Sequence, residues 1–224
     1  MDVLKKDPAE FIAEIRRARL TYCGPPKLES LSDAINRAVR EEVEGDFVEA
    51  GVALGGSAVL LGLLKPPQAI LHLYDVFGMI PPPGDDDGED AHRRYEVIKS
   101  GTSSGLGPDT YYGYETSLQE KVLSNLARWG LSCEKDHIEI HPGLFQDTLY
   151  PTGPIAFAHI DCDWYESVNT CIDRVLPALS KGGIMVFDDY ESYSGCKKSV
   201  DQMIRRRPDL QIIFHRRSLG IRRP

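Results

Sequence analysis

The side chains of this sequence best suited to chemistry are two groups of carboxylates, each closing a short apolar run. Asp188 and Asp189 follow Gly183-Ile184-Met185-Val186-Phe187, and Asp161 and Asp163 follow Ile155-Ala156-Phe157-Ala158-His159-Ile160. Both runs are rich in β-formers and lack helical periodicity, which predicts buried strands of a parallel sheet. Ligands of such sheets lie at the carboxyl ends of the strands, so the two clusters are expected to meet at one edge. Carboxylates held together repel one another unless a cation sits between them. Hard oxygen donors favour Mg²⁺, Mn²⁺ or Ca²⁺ over softer metals. The expectation is a divalent-metal site built on an α/β sheet.

The elements that must position these acids can be read along the chain. Residues 1–44 are predicted to form a helical cap, with Phe11, Ile12 and Ile15 on one face and Leu28, Leu31, Ile35 and Val39 on another after a break at Pro25-Pro26. Gly45–Gly51 reads as a strand entering a glycine turn, Ser57–Leu64 as a helix, and Ala69–Tyr74 as a second strand closed by Asp75. A long irregular segment, 78–117, carries Pro81-Pro82-Pro83, the acidic run Asp85 to Asp90 and the cluster Tyr111-Tyr112-Gly113-Tyr114. It is expected to be a lid-like insert over the ligand, although its acidic portion has the composition of a disordered stretch. A helix at Glu120–Trp129, strands at His137–His141 and Ile155–Ile160, a helix at Ser167–Leu179 and a strand at Gly183–Phe187 follow. After a helix at Lys197–Arg206, Leu210–His215 and Leu219–Arg222 are expected to close the fold as a hairpin. Strands alternating with helices call for a doubly wound α/β sheet.

At 224 residues and 42% hydrophobic content the chain can bury one substantial core, so a single domain is expected. The formal net charge of −8 argues against a nucleic-acid backbone as the main partner. The five cysteines are scattered, without C-x-x-C spacing, as expected of reduced thiols in a cytoplasmic protein. No apolar stretch reaches the length of a membrane span, so no membrane partner is expected. A homo-oligomer is compatible with the sequence.

The turn Glu49-Ala50-Gly51-Val52-Ala53-Leu54-Gly55-Gly56-Ser57 sits at the first strand-to-helix junction. Its glycines let backbone approach a ligand, and the following helix N-terminus offers N–H groups to an anion. The dinucleotide fingerprint G-x-G-x-x-G is absent, because Ala53 stands where its second glycine would fall. An acid, Glu49, precedes the turn, and Asp75 at the end of the next strand is placed to accept hydrogen bonds from a ribose diol. These features suit a nucleoside ligand with one carboxylate and no pyrophosphate, which describes S-adenosylmethionine.

The segments Gly45–Gly51 with Gly55-Gly56-Ser57, Leu73-Tyr74-Asp75, Gly143–Leu149, Asp161–Ser167 and Gly182 to Tyr190, taken in order, resemble the macrocin O-methyltransferase family. The resemblance runs from about Gly45 to the C-terminus. It implies a seven-stranded, Rossmann-like class I methyltransferase sheet with a C-terminal antiparallel hairpin. It further implies Mg²⁺- or Mn²⁺-assisted transfer of a methyl group from S-adenosylmethionine to a sugar hydroxyl of a glycosylated metabolite or oligosaccharide. By this resemblance Asp161, Asp188 and Asp189 are metal ligands, Glu49, Gly51, Ser57 and Asp75 hold the methyl donor, and Phe145 and Gln146 lie near the adenine. The short N-terminal region and the 78–117 insert depart from the family pattern, which bears on the acceptor more than on the reaction.

A sugar hydroxyl needs a general base and a fixed direction of attack. Asp161 and Asp163 are the two candidates. A tightly metal-bound carboxylate is the weaker base, which favours Asp163, while the resemblance supports Asp161 equally; the choice stays open. His159 reads as a core histidine and His141 as weak evidence for a pocket residue. Trp164 and Tyr165 suit sugar stacking or helix packing equally, and Tyr22 reads as structural, with closure over the donor as the alternative. A catechol-type methyltransferase is the alternative activity, although that group would call for an Asp-Asn pair in place of Asp188-Asp189. A nicotinamide dehydrogenase fits neither the glycine spacing nor the paired acids.

Overall fold

The computed structural model describes residues 8–224, so residues 1–7 of the expected N-terminal cap lie outside the described residues. Among the described residues, seven strands form one sheet in the order β3-β2-β1-β4-β5-β7-β6. They are β1 (Asp46–Ala50), β2 (Leu71–Asp75), β3 (Ile138–Pro142), β4 (Ile155–Ile160), β5 (Leu179–Phe187), β6 (Gln211–His215) and β7 (Leu219–Arg222). The first five run parallel, β7 pairs antiparallel with β5, and β6 closes the hairpin on β7. This is the expected doubly wound sheet with its antiparallel C-terminal hairpin.

Strand order reverses between β1 and β4, the only central parallel neighbours whose connections leave in opposite directions across the sheet. Ligands of open α/β sheets bind at such a switch point. β4 is buried at all six positions, as its run of apolar residues around His159 requires of a strand covered on both faces. Phe47 of β1 and Phe157 of β4 stack at 5.5 Å beneath α3 (Gly56–Leu64), a helix whose nearly all-apolar sequence is buried against the sheet and ends before Pro66. Helices α1 (Pro8–Arg17) and α2 (Pro25–Arg40) cover the same side. Pro25-Pro26, expected only as a break, opens α2. Proline suits the first helical turn because its missing N–H would have no partner there. Helices α7 (Tyr165–Ala178) and α8 (Ser194–Arg206) pack on the opposite face.

The segment 78–117 differs most from its sequence. It was expected to be irregular and contains an eleven-residue helix, α4 (Glu89–Lys99), and a 3₁₀ turn at Tyr112–Tyr114. Its acidic run is ordered by charge-to-helix contacts rather than by apolar burial. Asp87 Oδ1 accepts from the Tyr165 N–H at the start of α7 (2.8 Å), and Oδ2 accepts from Gly84 (3.0 Å). Asp90 accepts from the backbone N–H and hydroxyl of Ser194, both at 2.7 Å, at the start of α8. Carboxylates at helix N-termini satisfy orphan donors and complement the helix dipole. Trp164 is buried, and its indole N–H donates to the Pro81 carbonyl (2.9 Å), fastening the other side of the segment. Asp87→Ala is expected to lower stability by about 1–2 kcal/mol, measurable by urea unfolding. An unchanged midpoint would show that the segment is held by other contacts.

Two smaller elements complete the frame. A single turn, α6 (Phe145–Thr148), follows β3 and has no counterpart in the sequence reading, and α5 (Leu118–Arg128) packs on α3.

Candidate active site

The glycine turn leaves β1 beside the end of β4. Gly51 has φ +92°, and a Cβ there would collide with the carbonyl of Asp161, so the two switch-point strands approach too closely for any other residue. Gly55, also left-handed at φ +86°, caps the N-terminus of α3. Asp75 fastens this turn to β2: its Oδ2 accepts from Val52 (2.7 Å) and Ala53 (3.1 Å), and its Oδ1 accepts from Phe77 (2.7 Å). Burial raises its pKa, and these N–H groups oppose that shift. The residue lines the cleft as expected. Three of its roughly four acceptor positions are nevertheless occupied by backbone, so little capacity is left for a ribose diol.

Glu49 also departs from the sequence reading. It is fully buried, lines neither lobe of the cleft described below, and its Oε1 lies 3.0 Å from His159 Nδ1. His159, likewise fully buried, places Nε2 3.9 Å from Asp188 Oδ1. Burial disfavours the imidazolium, but the Asp188 and Glu49 carboxylates outweigh it and raise the pKa to about 10. His159 thus links β1 to the Asp188 end of β5 within the core. The core placement expected of it is observed, and the donor contact expected of the Glu49 carboxylate has no exposed surface through which to form.

The four strand-end acids converge. Asp161, Asp163 and Asp189 each offer an oxygen within 4.8 Å of the others, and Asp161 and Asp188 form a second such group with Cys23. Asp163 leaves the strand line through a left-handed backbone, φ +60°, which short polar residues tolerate best. Burial and the neighbouring carboxylates push the acids of Asp161 and Asp163 well above the usual range. Asp188 goes the other way: burial is outweighed by His159 and Lys27, and its pKa is lowered. Lys27 Nζ stands 2.5 Å from Asp188 Oδ2 and 3.6 Å from Asp189 Oδ1. Asp189 Oδ2 is buried without a hydrogen-bond partner among the described residues. A buried carboxylate with one orphaned oxygen, clustered with other carboxylates, fits a divalent cation, with Asp161 common to both groups.

These acids lie where two lobes of one cleft meet. The smaller is walled by Val76, Ile80, Leu144, Phe145 and Gln146; the larger holds Lys27, Ser57, Asp188 and Asp189. Gly51, Asp75, Tyr112, Asp161 and Asp163 belong to both. All the expected site residues except Glu49 therefore face this cleft. Of the undecided aromatics, Tyr22 lines the larger lobe and packs edge-on against Tyr111 and Tyr112. Tyr165 bonds Gln202, Trp164 is core, and His141 is not on either wall. Cys23, Lys27, Arg94, Ser192 and Tyr193 were not anticipated. Lys27 occupies an ordinary polar position of an amphipathic helix, and only the docking of α2 against the end of β5 reveals its role.

The profile of the macrocin-O-methyltransferase (TylF) family matches residues 13–212. The chain is 31% identical over 189 residues to the demethyldecarbamoylnovobiocin O-methyltransferase of Streptomyces niveus, an alignment covering 81% of this chain and 66% of that one. It is 29% identical over 192 residues to the 8-demethyl-8-(2,3-dimethoxy-alpha-L-rhamnosyl)-tetracenomycin-C 4'-O-methyltransferase of Streptomyces olivaceus, covering 80% of this chain and again 66% of the relative. The chain thus spans just under two thirds of the length of these curated relatives. Among solved structures, the O-methyltransferase NovP superposes with a TM-score of 0.74 at 26% identity, covering 91% of this chain and 82% of that one. With a match that runs from α1 into β6 and takes in both lobes of the cleft, the chain belongs to the macrocin O-methyltransferase family.

Proposed function

We propose that this protein transfers the methyl group of S-adenosylmethionine to a sugar hydroxyl of a glycosylated natural product, with a divalent cation held by Asp161, Asp188 and Asp189. The observation that carries this reading is the junction of the two lobes at Asp161 and Asp163. One wall serves an apolar nucleoside pocket and a carboxylate-rich chamber at once. The relatives' names point the same way, since the tetracenomycin enzyme acts at a rhamnosyl 4'-oxygen.

The apolar lobe suits the adenine, with Phe145 as a flat wall and Gln146 as its polar edge. The Gly51–Gly55 backbone and the first turn of α3 suit the amino-acid end. The Gly56 N–H is spent on the Leu20 carbonyl (2.9 Å), which leaves the Ser57 end of that turn for a carboxylate. Tyr22, Tyr111, Tyr193 and Arg94 wall the acceptor side, and the 78–117 segment acts as its cover.

In the transfer, the acceptor oxygen attacks the sulfonium methyl carbon, the carbon–sulfur bond breaks with its electron pair passing to sulfur, and the hydroxyl proton passes to a carboxylate. A bound Mg²⁺ or Mn²⁺ would lower the hydroxyl pKa and fix its direction. Asp163 is the better proton acceptor of the two candidates. It belongs to only one of the ligand-capable groups, whereas Asp161 belongs to both and is the more committed to a cation. Lys27 holds Asp188 in place by its 2.5 Å contact, and His159 braces the same carboxylate from the core.

Titration calorimetry tests the donor assignment. S-adenosylhomocysteine should bind in the micromolar range, about −8 kcal/mol, and NAD should give no heat. NAD binding without S-adenosylhomocysteine binding would overturn the reading.

A further inference from the structure

A second group of metal-ligating side chains lies away from the cleft, on the edge of the sheet where β2 meets β3. His72 and Glu139 are register partners across this pair, and His141 lies one pleat further on the same face, opposite Tyr74. His72 Nδ1 is 3.1 Å from His141 Nε2 and 3.3 Å from Glu139 Oε2, and His141 Nε2 is 3.6 Å from the same oxygen. Three ligands about 2.0–2.2 Å from a tetrahedral Zn²⁺ stand roughly 3.3–3.5 Å apart. The triangle, with sides of 3.1, 3.3 and 3.6 Å, comes close to that size and mixes two imidazoles with one carboxylate.

The surroundings are those of a ligand set rather than of an incidental cluster. The other nitrogen of His72, Nε2, lies 3.5 Å from Asp46 Oδ2, and Asp46 is itself fixed by accepting from the Ile70 N–H at 2.8 Å. A carboxylate behind a ligating histidine sets its tautomer and raises its basicity. In the tautomer that donates Nε2–H to Asp46, Nδ1 turns a lone pair towards the Glu139 carboxylate. A cation at the centre converts that repulsion into coordination. Tyr74 stacks on the His141 ring at 4.3 Å and 13°, fixing its plane. Glu139 is half-exposed, which leaves room for a water as fourth ligand.

We propose that His72, Glu139 and His141 form a binding site for a borderline divalent ion, Zn²⁺ in the first place, that staples edge strand β3 to β2. The site is separate from the carboxylate cluster, whose all-oxygen character suits Mg²⁺ instead. Its position also gives it a bearing on the cleft. Beyond the end of β3 the chain passes through Gly143, whose N–H donates to the Asp75 carbonyl (2.9 Å), into the Phe145–Gln146 wall.

The test uses the full chain stripped with a chelator, carrying Asp188→Asn and Asp189→Asn to silence the carboxylate cluster. Zn²⁺ is titrated in competition with a chromogenic chelator, and Co²⁺ serves as a spectroscopic probe. The expected result is one equivalent of Zn²⁺ per chain and the intense visible absorption of tetrahedral Co²⁺. Affinity should fall at least about a hundredfold in His141→Ala and roughly 10–100-fold in Asp46→Asn. Glu139→Gln, at an exposed position that leaves folding intact, should weaken binding and change the Co²⁺ spectrum. Should the double variant not fold, the unmodified chain in excess Mg²⁺ takes its place, because Mg²⁺ fills the oxygen site and leaves imidazoles free. Absence of Zn²⁺ binding, or binding unaffected by His141→Ala and Glu139→Gln, would overturn the proposal.

Discussion

Asp189→Asn should lower methyl transfer at least about a hundredfold while leaving S-adenosylhomocysteine binding within about threefold. The Asp189 carboxylate is buried, and its Oδ2 has no hydrogen-bond partner among the described residues. The residue clusters with Asp161 and Asp163 and does not line the apolar lobe. The substitution keeps shape and volume and removes one charged donor from the proposed cation site, so the loss falls on the reacting centre. Single-turnover rates and calorimetry, measured on the same preparation, separate the two effects. A parallel loss of donor binding would mean that Asp189 supports the cleft as a whole.

Lys27→Met should destabilise the protein by about 2–3 kcal/mol in the presence of a chelator, and Mg²⁺ should restore most of the loss. Removing one partner of a buried ion pair leaves the other charge uncompensated, a cost of about 3–5 kcal/mol in full burial. The Lys27 side chain is 18% exposed, which lowers that figure. Methionine keeps the length and apolar stem of lysine. The ammonium and a cation compete for the same Asp188 oxygen, so the variant should also bind Mg²⁺ more tightly. Urea unfolding with and without Mg²⁺ reads both effects. Equal stability in the two proteins would show that Asp188 is neutralised from His159 alone.

The sheet was legible because its central strands carry only one kind of information. β4 and the second half of β5 are dominated by apolar residues and are followed by acids, so their burial and the chemistry at their ends follow from composition. The α4 helix was not legible for the opposite reason. Glu89–Lys99 has few apolar residues, of which Ala91 and Ile98 are buried, and what orders its surroundings are contacts of Asp87 and Asp90 with helices that start some 75–105 residues later in the chain. Long-range polar contacts leave no periodic trace. Lys27 escaped in the same way.

For the acids at the turn, the sequence located the residues better than their tasks. Glu49 and Asp75 stand where a donor-binding acid was expected, yet Glu49 turns Oε1 to His159, with Oε2 buried and unpartnered among the described residues, and Asp75 is taken up mostly by backbone N–H groups. A carboxylate's partners depend on the direction of approach of a neighbouring strand, which spacing alone does not encode. Gly51 was legible as a close-approach glycine, but the atom it approaches, the Asp161 carbonyl, became known only with the β1–β4 pairing.

Metal-assisted methyl transfer to a sugar hydroxyl is open to a direct assay. The protein is incubated with methyl-labelled S-adenosylmethionine and matched acceptors, namely rhamnosylated aromatic polyketides, their aglycones and simple catechols, with Mg²⁺ or with excess chelator. The account predicts label on the glycosides alone, at a deoxysugar oxygen, and loss of at least about a hundredfold when Mg²⁺ is withheld. Preferential labelling of catechols, or full activity towards glycosides in chelator, would contradict it.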